Sequence, residues 1–322
     1  MTATQEDTGA PMEEQIKKRR RPLETAVIVS LFIAGAISIA VTVGILYELI
    51  RESLLFFQDD EVSLGGFLTG TVWQPQAGSF GIWALILGTL LITIIALIVA
   101  VPIGLAAAIY LSEYASVRIR NIFKPVLEIL VGIPTVVFGF FAITFMTPVL
   151  RSVFGTSTVG FFNVLSAGIV VGILIIPLVS SLSEDAMSAV PNSLRQAAYG
   201  LGGSKLEVSL RVVVPAALSG IAAGIVIAMS RAVGETMVVT LAAGASPRNF
   251  EVGTNSLWDI INPFQGAQTM TGYVAITASG DISYNTIDYN SIFAIGLTLF
   301  IMTLGLNSLS RRIVKRFRQE YE

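Results

Sequence analysis

The sequence predicts an all-α, polytopic membrane protein with six transmembrane helices. Hydrophobic residues make up 53% of the chain and charged residues 13%, a balance at which lipid rather than a soluble core takes up the apolar surface. Six charge-poor stretches, 25–47, 82–111, 129–150, 160–182, 216–244 and 291–309, approach or exceed the ~20 residues that cross the hydrocarbon layer as a helix. Lys and Arg concentrate in alternate connections, as positive charge retained on the cytoplasmic side requires.

Residues 1–22 are rich in Thr, Glu, Asp and Gly and end in a basic run at 17–21, so they read as a disordered cytoplasmic tail. The run directly precedes a full-length apolar span without a small-residue cleavage site, which fits the positive flank of an anchor rather than a secretory signal or a nucleic-acid tract. The first helix is assigned to 23–50 and an outward loop to 51–81. A five-helix core follows at 82–310, with an inward loop at 183–214, an outward loop at 245–290 and a basic cytoplasmic tail at 311–322. Pro134, Gly139 and Pro148 should make the third stretch kinked or irregular. With the amino terminus inside, Arg118, Arg120, Lys124, Arg195, Lys205, Arg211, Arg311, Arg312, Lys315, Arg316 and Arg318 face the cytoplasm, and the carboxyl terminus lies there too. Arg51, Arg151 and Arg248 remain outside. Trp73, Trp258 and Tyr273 in the outward loops suit either a membrane-interface belt or reception of an extracellular carrier protein.

The chain has no cysteine and no histidine, which removes disulfides, thiolate metal sites and the commonest proton shuttle. Neither catalytic residues nor metal ligands are expected in the spans, and an intramembrane enzyme is disfavoured.

The inward loop is polar and patterned. Ser193 with Gln196, and Ser204 with Glu207, are two capping-box spacings, and Gly202 and Gly203 between them suit a turn through positive φ. Pro215 suits the first turn of the next apolar helix. The expected order is helix, tight turn, helix, membrane. Ala197 and Ala198 give the first helix a small, flat face that a partner protein could approach closely, or they simply favour helicity. Glycines and a lysine at 200–205 lack the spacing of a phosphate-cradling loop, and Leu206 stands where Ser or Thr would bind magnesium. Any ATP and magnesium therefore belong to another polypeptide.

Arg231 lies sixteen residues beyond Pro215, roughly 24 Å along a continuous helix. Arg at a helix centre costs about 2.5 to 3.5 kcal/mol on insertion scales, so it should face an interior or an aqueous path and have a partner. Glu235, one turn on, is that partner. The pair either locks helix packing or guides an anion, because guanidinium matches phosphate oxygens two at a time. A carboxylate beside it would favour monohydrogen phosphate, which has a proton to donate, over sulfate, which has none. Gly220 and Gly224 are expected only to let helices approach closely.

Gln196-Ala197-Ala198, Gly202 and Val212, Val214, Pro215 resemble the cytoplasmic loop motif of type I ABC importer permeases, in which an acidic residue stands where this chain has Gln196. Arg231-Ala232-Val233-Gly234-Glu235-Thr236-Met237, Ala242-Ala243-Gly244 and Gln268-Thr269-Met270-Thr271 are similar to the PstC type of phosphate importer permease, with likeness running from the second span to Arg311-Arg312. The resemblance implies the type I ABC importer permease fold in the cell's inner membrane. It implies a heterodimer with the sister permease PstA, a dimer of the ATPase PstB and the extracellular phosphate-binding protein PstS. It also places inorganic phosphate along Arg231 and Glu235, beside which Thr236 is a further candidate for the path, and ATPase coupling at Gln196, Ala197, Ala198 and Gly202. Lipid, not nucleic acid, is the other expected partner. Two rival readings stay open: an importer permease for molybdate or sulfate, and a proton-coupled secondary transporter using Glu235 as its proton site.

Overall fold

The computed structural model describes residues 22–251, 253–284 and 286–317. The basic run at 17–21, the tail before it and Arg318 lie outside the described residues. The chain divides into two units, Met1–Glu48 and Leu49–Glu322.

Helix α1 (Pro22–Gln58) begins in the first unit and ends in the second, so helix continues eight residues past the expected boundary at 50. The segment that follows, expected to face outward, is not a featureless loop. It holds α2 (Leu64–Thr69), capped by the Ser63 hydroxyl, and a small hairpin of β1 (Trp73–Gln74) with β2 (Ser79–Phe80). Helix α3 (Trp83–Ile109) continues as a π turn, Tyr110–Tyr114. α4 (Val117–Val131) takes up the first residues expected in the third span, and Gly132, Ile133 and Pro134 separate it from α5 (Thr135–Phe141). A π turn, Ala142–Met146, joins α5 to α6 (Thr147–Phe154). Proline at 148 has no amide hydrogen to give the preceding turn, which accounts for the irregular ladder there.

Helix α7 (Val164–Ser188) starts at Asn163, whose side chain accepts the Ser166 amide. It is followed by α8 (Asn192–Gly200), α9 (Lys205–Val208), a π turn Ser209–Val213 and α10 (Val214–Ala216). The fifth stretch is not one straight span. Lys205–Ala216 forms one helical segment and α11 (Leu218–Val233) bends away from it by 70°; α12 (Met237–Ala242) then resumes after a second interruption. Pro215 consequently sits near the end of the inward-loop helix rather than in the first turn of a crossing helix. α13 (Leu257–Ile261), α14 (Met270–Ser279) and α15 (Ile287–Phe317) complete the order. Among the described residues five helices are long and apolar enough to cross a membrane, or six with the bent pair counted as one span.

The main core joins Ile92, Ala96 and Ala100 of α3 to Val170, Val171 and Ile175 of α7, Ala228 and Ala232 of α11, and Val238 and Val239 of α12. Small residues let the α7–α11 pair close: a Cβ at Gly220 would lie 2.6 Å from the Ala186 Cβ, and one at Gly224 2.9 Å from the Leu182 Cβ, as lipid-embedded interfaces require. A second core packs Phe56, Phe67, Trp73, Phe80, Leu85, Met270, Tyr273 and Ile295. Trp73 and Tyr273 meet edge to face at 5.1 Å and are buried, so they are core residues, whereas Trp258 is exposed. A third core, including Ala108, Met187, Val208, Val213 and Ile221, seats the loop at 183–214.

Candidate functional site

The interruption between α11 and α12 brings Arg231, Glu235 and Thr236 together. α11 ends at Gly234, a poor helix former, with its amide bonded to the Ser230 carbonyl at 3.1 Å. Glu235 therefore falls past the helix end, so its position follows from the break rather than from helical periodicity. Its carboxylate still meets Arg231, with Nη2 to Oε2 at 3.7 Å. The other carboxylate oxygen accepts the Val238 amide at 3.4 Å, covering an otherwise free donor at the start of α12. Both contacts are longer than the 2.7–2.9 Å of a tight charge-assisted hydrogen bond.

Exposure differs sharply across the pair: the Arg231 side chain is 48% exposed and that of Glu235 3%. Among the described residues the Arg231 guanidinium makes no hydrogen bond, so its fork of donors is available on an open face. The bend at Ala217 also changes the depth argument, because Arg231 is thirteen residues along α11 from Leu218 and not sixteen along one axis from Pro215. Thr236 is half-buried, and its hydroxyl donates to the Gly234 carbonyl at 3.3 Å.

A set of hydroxyls that sequence reasoning left without a role adjoins this break. The Thr271 hydroxyl donates to the Glu235 carbonyl at 2.7 Å and lies 3.2 Å from the Thr269 hydroxyl. The one signal in the sequence was the Gln268-Thr269-Met270-Thr271 run itself, which composition places in a polar loop.

In the inward loop, Gln196 and Ala197 are exposed and Ala198 is half-buried on α8. Gly202 ends the turn with φ +84°, a left-handed conformation that a side chain would strain. The Ser204–Glu207 capping box is formed on both sides, whereas the expected Ser193–Gln196 box is not. Pro191 occupies the cap position of α8 and has no side-chain oxygen, and Ser193 is already inside the helix. Leu201 is 91% exposed and Leu206 57%, which extends an apolar surface beside Ala197.

The loop is fastened to the helices behind it by Arg195, which the sequence reading noted only as a cytoplasmic charge. Its guanidinium pairs with Glu113 at 3.0 Å and donates to the Met187 and Val190 carbonyls at 2.8 and 2.6 Å. Lys205 adds a cation–π contact, 5.0 Å from the centre of the Tyr114 ring. In the segment at 245–290 Arg248 donates to the carbonyls of Ile260, Asn262, Gln265 and Gly266, and burial lowers its pKa from the ordinary arginine value. Among the described residues no group of His, Cys, Asp and Glu could hold a metal ion.

Known proteins place this architecture. Residues 100–320 match the family described as binding-protein-dependent transport system inner membrane component. The probable ABC transporter permease protein YqgH of Bacillus subtilis is 30% identical over 318 residues, covering 98% of this chain and 97% of that protein. The phosphate transport system permease protein PstC of Pasteurella multocida is 30% identical over 304 residues, covering 87% and 90%, and that of Mesorhizobium japonicum 30% over 270 residues, covering 78% of each. A solved bacterial ABC transporter involved in alginate import has the same fold, with TM-score 0.58 and 15% identity over 91% of this chain and 99% of that one. The MetNI methionine ABC transporter aligns with TM-score 0.52 and 17% identity over 74% and 95%. This chain therefore belongs to the binding-protein-dependent inner membrane components, as a non-enzymatic, multi-pass permease subunit of an ABC importer that works with a partner permease, a separate ATPase and a binding protein.

Proposed function

We propose that this chain is the PstC-type permease of an ATP-driven inorganic phosphate importer, paired with a PstA-type permease, a PstB-type ATPase dimer carrying ATP and magnesium, and a PstS-type extracellular binding protein. The observation that carries this reading is the loosely held Arg231–Glu235 pair at a helix break, in a chain whose relatives include PstC proteins along most of its length.

Arg231, Glu235 and Thr236 line the phosphate path. Arg231 takes an anion with two parallel hydrogen bonds and cannot lose its charge. Glu235 neutralises it at 3.7 Å when the path is empty, a contact weak enough to yield to phosphate oxygens at hydrogen-bond distance. Released, the carboxylate accepts a hydrogen bond from monohydrogen phosphate, a contact sulfate cannot offer. Gln196, Ala197, Ala198 and Gly202 form the surface gripped by the ATPase. Gln196 contributes a neutral hydrogen bond there, and the exposed Leu201 and Leu206 widen the contact. This arrangement puts the loop and both termini in the cytoplasm. Nucleotide drives the cycle only if the assembly binds it with different affinity in its outward and inward arrangements.

The test is ATP-dependent phosphate uptake in vesicles holding this chain with its sister permease, ATPase and binding protein. Arg231→Gln should reduce uptake at least about tenfold, the scale of a lost charge-assisted contact. Glu235→Gln should narrow the preference for phosphate over sulfate. Uptake by Arg231→Gln at the parent rate would remove the guanidinium from the path, and molybdate or sulfate outcompeting phosphate would change the substrate.

A further inference from the structure

We propose that Thr271 is a positioning residue for the translocation path, holding the α11–α12 break to α14 so that the outward segment controls where Glu235 stands. The inference rests on the assignment of Arg231 and Glu235 to the path.

A threonine in the first turn of a helix ordinarily serves that helix's own free amides. Here that task is already filled. The Gly272 amide is taken by Thr269 Oγ1 at 3.0 Å and the Met270 amide by Thr89 Oγ1 of α3 at 3.1 Å. The Thr271 hydroxyl instead reaches 36 residues back along the chain to the Glu235 main-chain carbonyl at 2.7 Å. All three threonines are buried, at 2%, 3% and 8% exposure for Thr89, Thr269 and Thr271, so water does not compete for these bonds.

The same first turn of α14 also leads toward the outer segment. Tyr273 bonds the Ser291 hydroxyl of α15 at 2.9 Å and packs against Trp73 of the outer hairpin. α14 thus connects the hairpin and α15 to the main chain of the residue that neutralises Arg231. A shift of the outward segment drags the Glu235 carbonyl with it. Since the carboxylate contacts are long, at 3.7 and 3.4 Å, moving that main chain changes how closely the carboxylate meets Arg231. Engagement of the binding protein outside is thereby felt at the path without passing along α11.

The experiment compares Thr271→Val and Thr271→Ser in the complete importer in proteoliposomes, reading phosphate taken up per ATP hydrolysed when loaded binding protein is present. Valine keeps the shape and removes the donor; serine keeps the donor. The valine variant should lose about threefold to tenfold in that ratio, the range of one intramembrane hydrogen bond, and serine should restore it to within about twofold of the parent. If valine prevents assembly, Thr271→Ala provides the same contrast with serine. A parental ratio in the variant lacking the hydroxyl, or a serine variant as impaired as valine, overturns the proposal. Arg231→Gln in the same vesicles separates the two readings: if it is inactive while valine is parental, only the role of Thr271 falls, and if it transports normally the path assignment falls and takes this role with it.

Discussion

Glu184 shows how much one buried carboxylate organises. Its side chain is 1% exposed and pairs with Arg120 and, at 2.9 Å, with Lys124, while Ser188 donates to it at 2.8 Å. Both cations lie on α4 and the carboxylate on the last turns of α7, so the cluster ties α4 to the helix that leads into the inward loop. The cations are about a third exposed, 36% and 31%, and can find water if the carboxylate is removed. The carboxylate cannot. Glu184→Gln should therefore lower stability by about 1 kcal/mol, whereas Arg120→Gln with Lys124→Gln, which strands a buried anion, should cost about 3 kcal/mol. Heat unfolding of the purified chain in detergent measures both, and equal losses would show that the anion is not desolvated in the way the packing implies.

Among the elements, α9 is the clearest case of a local code that the fold obeys. Ser204 Oγ takes the Glu207 amide and the Glu207 carboxylate takes the Ser204 amide at 3.0 Å. These bonds, from the Ser204 backbone and then from its hydroxyl, hold the Glu207 pKa below the usual glutamate value. A carboxylate so lowered stabilises the folded loop above its unfolded pKa, and that help is lost as pH falls through the lowered folded value. Ser204→Ala should fray the start of α9, at about 1 kcal/mol for a lost cap, and should blunt the acid sensitivity of its amides. Hydrogen exchange across 204–209 at neutral and acid pH reads both effects; unchanged protection in the variant would mean the turn is held by Val208 and Val213 in the core behind it. The same serine-to-acceptor spacing at Ser193 and Gln196 misled, because Pro191 starts α8 before Ser193 can cap it. The break at 217 was hidden for a different reason. Apolar composition counts residues that suit lipid and carries no record of direction, so a 70° bend and a straight span look alike. Arg231 and Glu235 were legible because charge in an apolar run is conspicuous. Thr271 was not, since its partner is a main-chain carbonyl that only the folded chain brings near.

For the molecule as a whole, the decisive matter is where the driving energy enters. A self-sufficient carrier would couple uptake to a gradient through a titrating group in its own spans, and Glu235, 3% exposed, is the carboxylate beside the proposed path. Yet that carboxylate already has two structural duties, neutralising Arg231 and capping α12, and protonating it would remove the counter-charge of Arg231 and weaken that cap. The loop at 183–214 points the same way. It is seated on its own apolar core and clamped by Arg195 to Glu113, while Ala197, Leu201 and Leu206 are exposed, with nothing among the described residues to cover them. A rigid, clamped element with an open apolar face transmits force applied by another protein. The chain reconstituted alone should therefore take up no phosphate under an imposed pH gradient, in either direction. Adding the sister permease, ATPase, binding protein and ATP should start uptake, and Ala197→Arg should stop it by obstructing the docking face while the chain remains folded in the bilayer. Gradient-driven uptake by the isolated chain would instead make Glu235 a proton site and the inward loop incidental to transport.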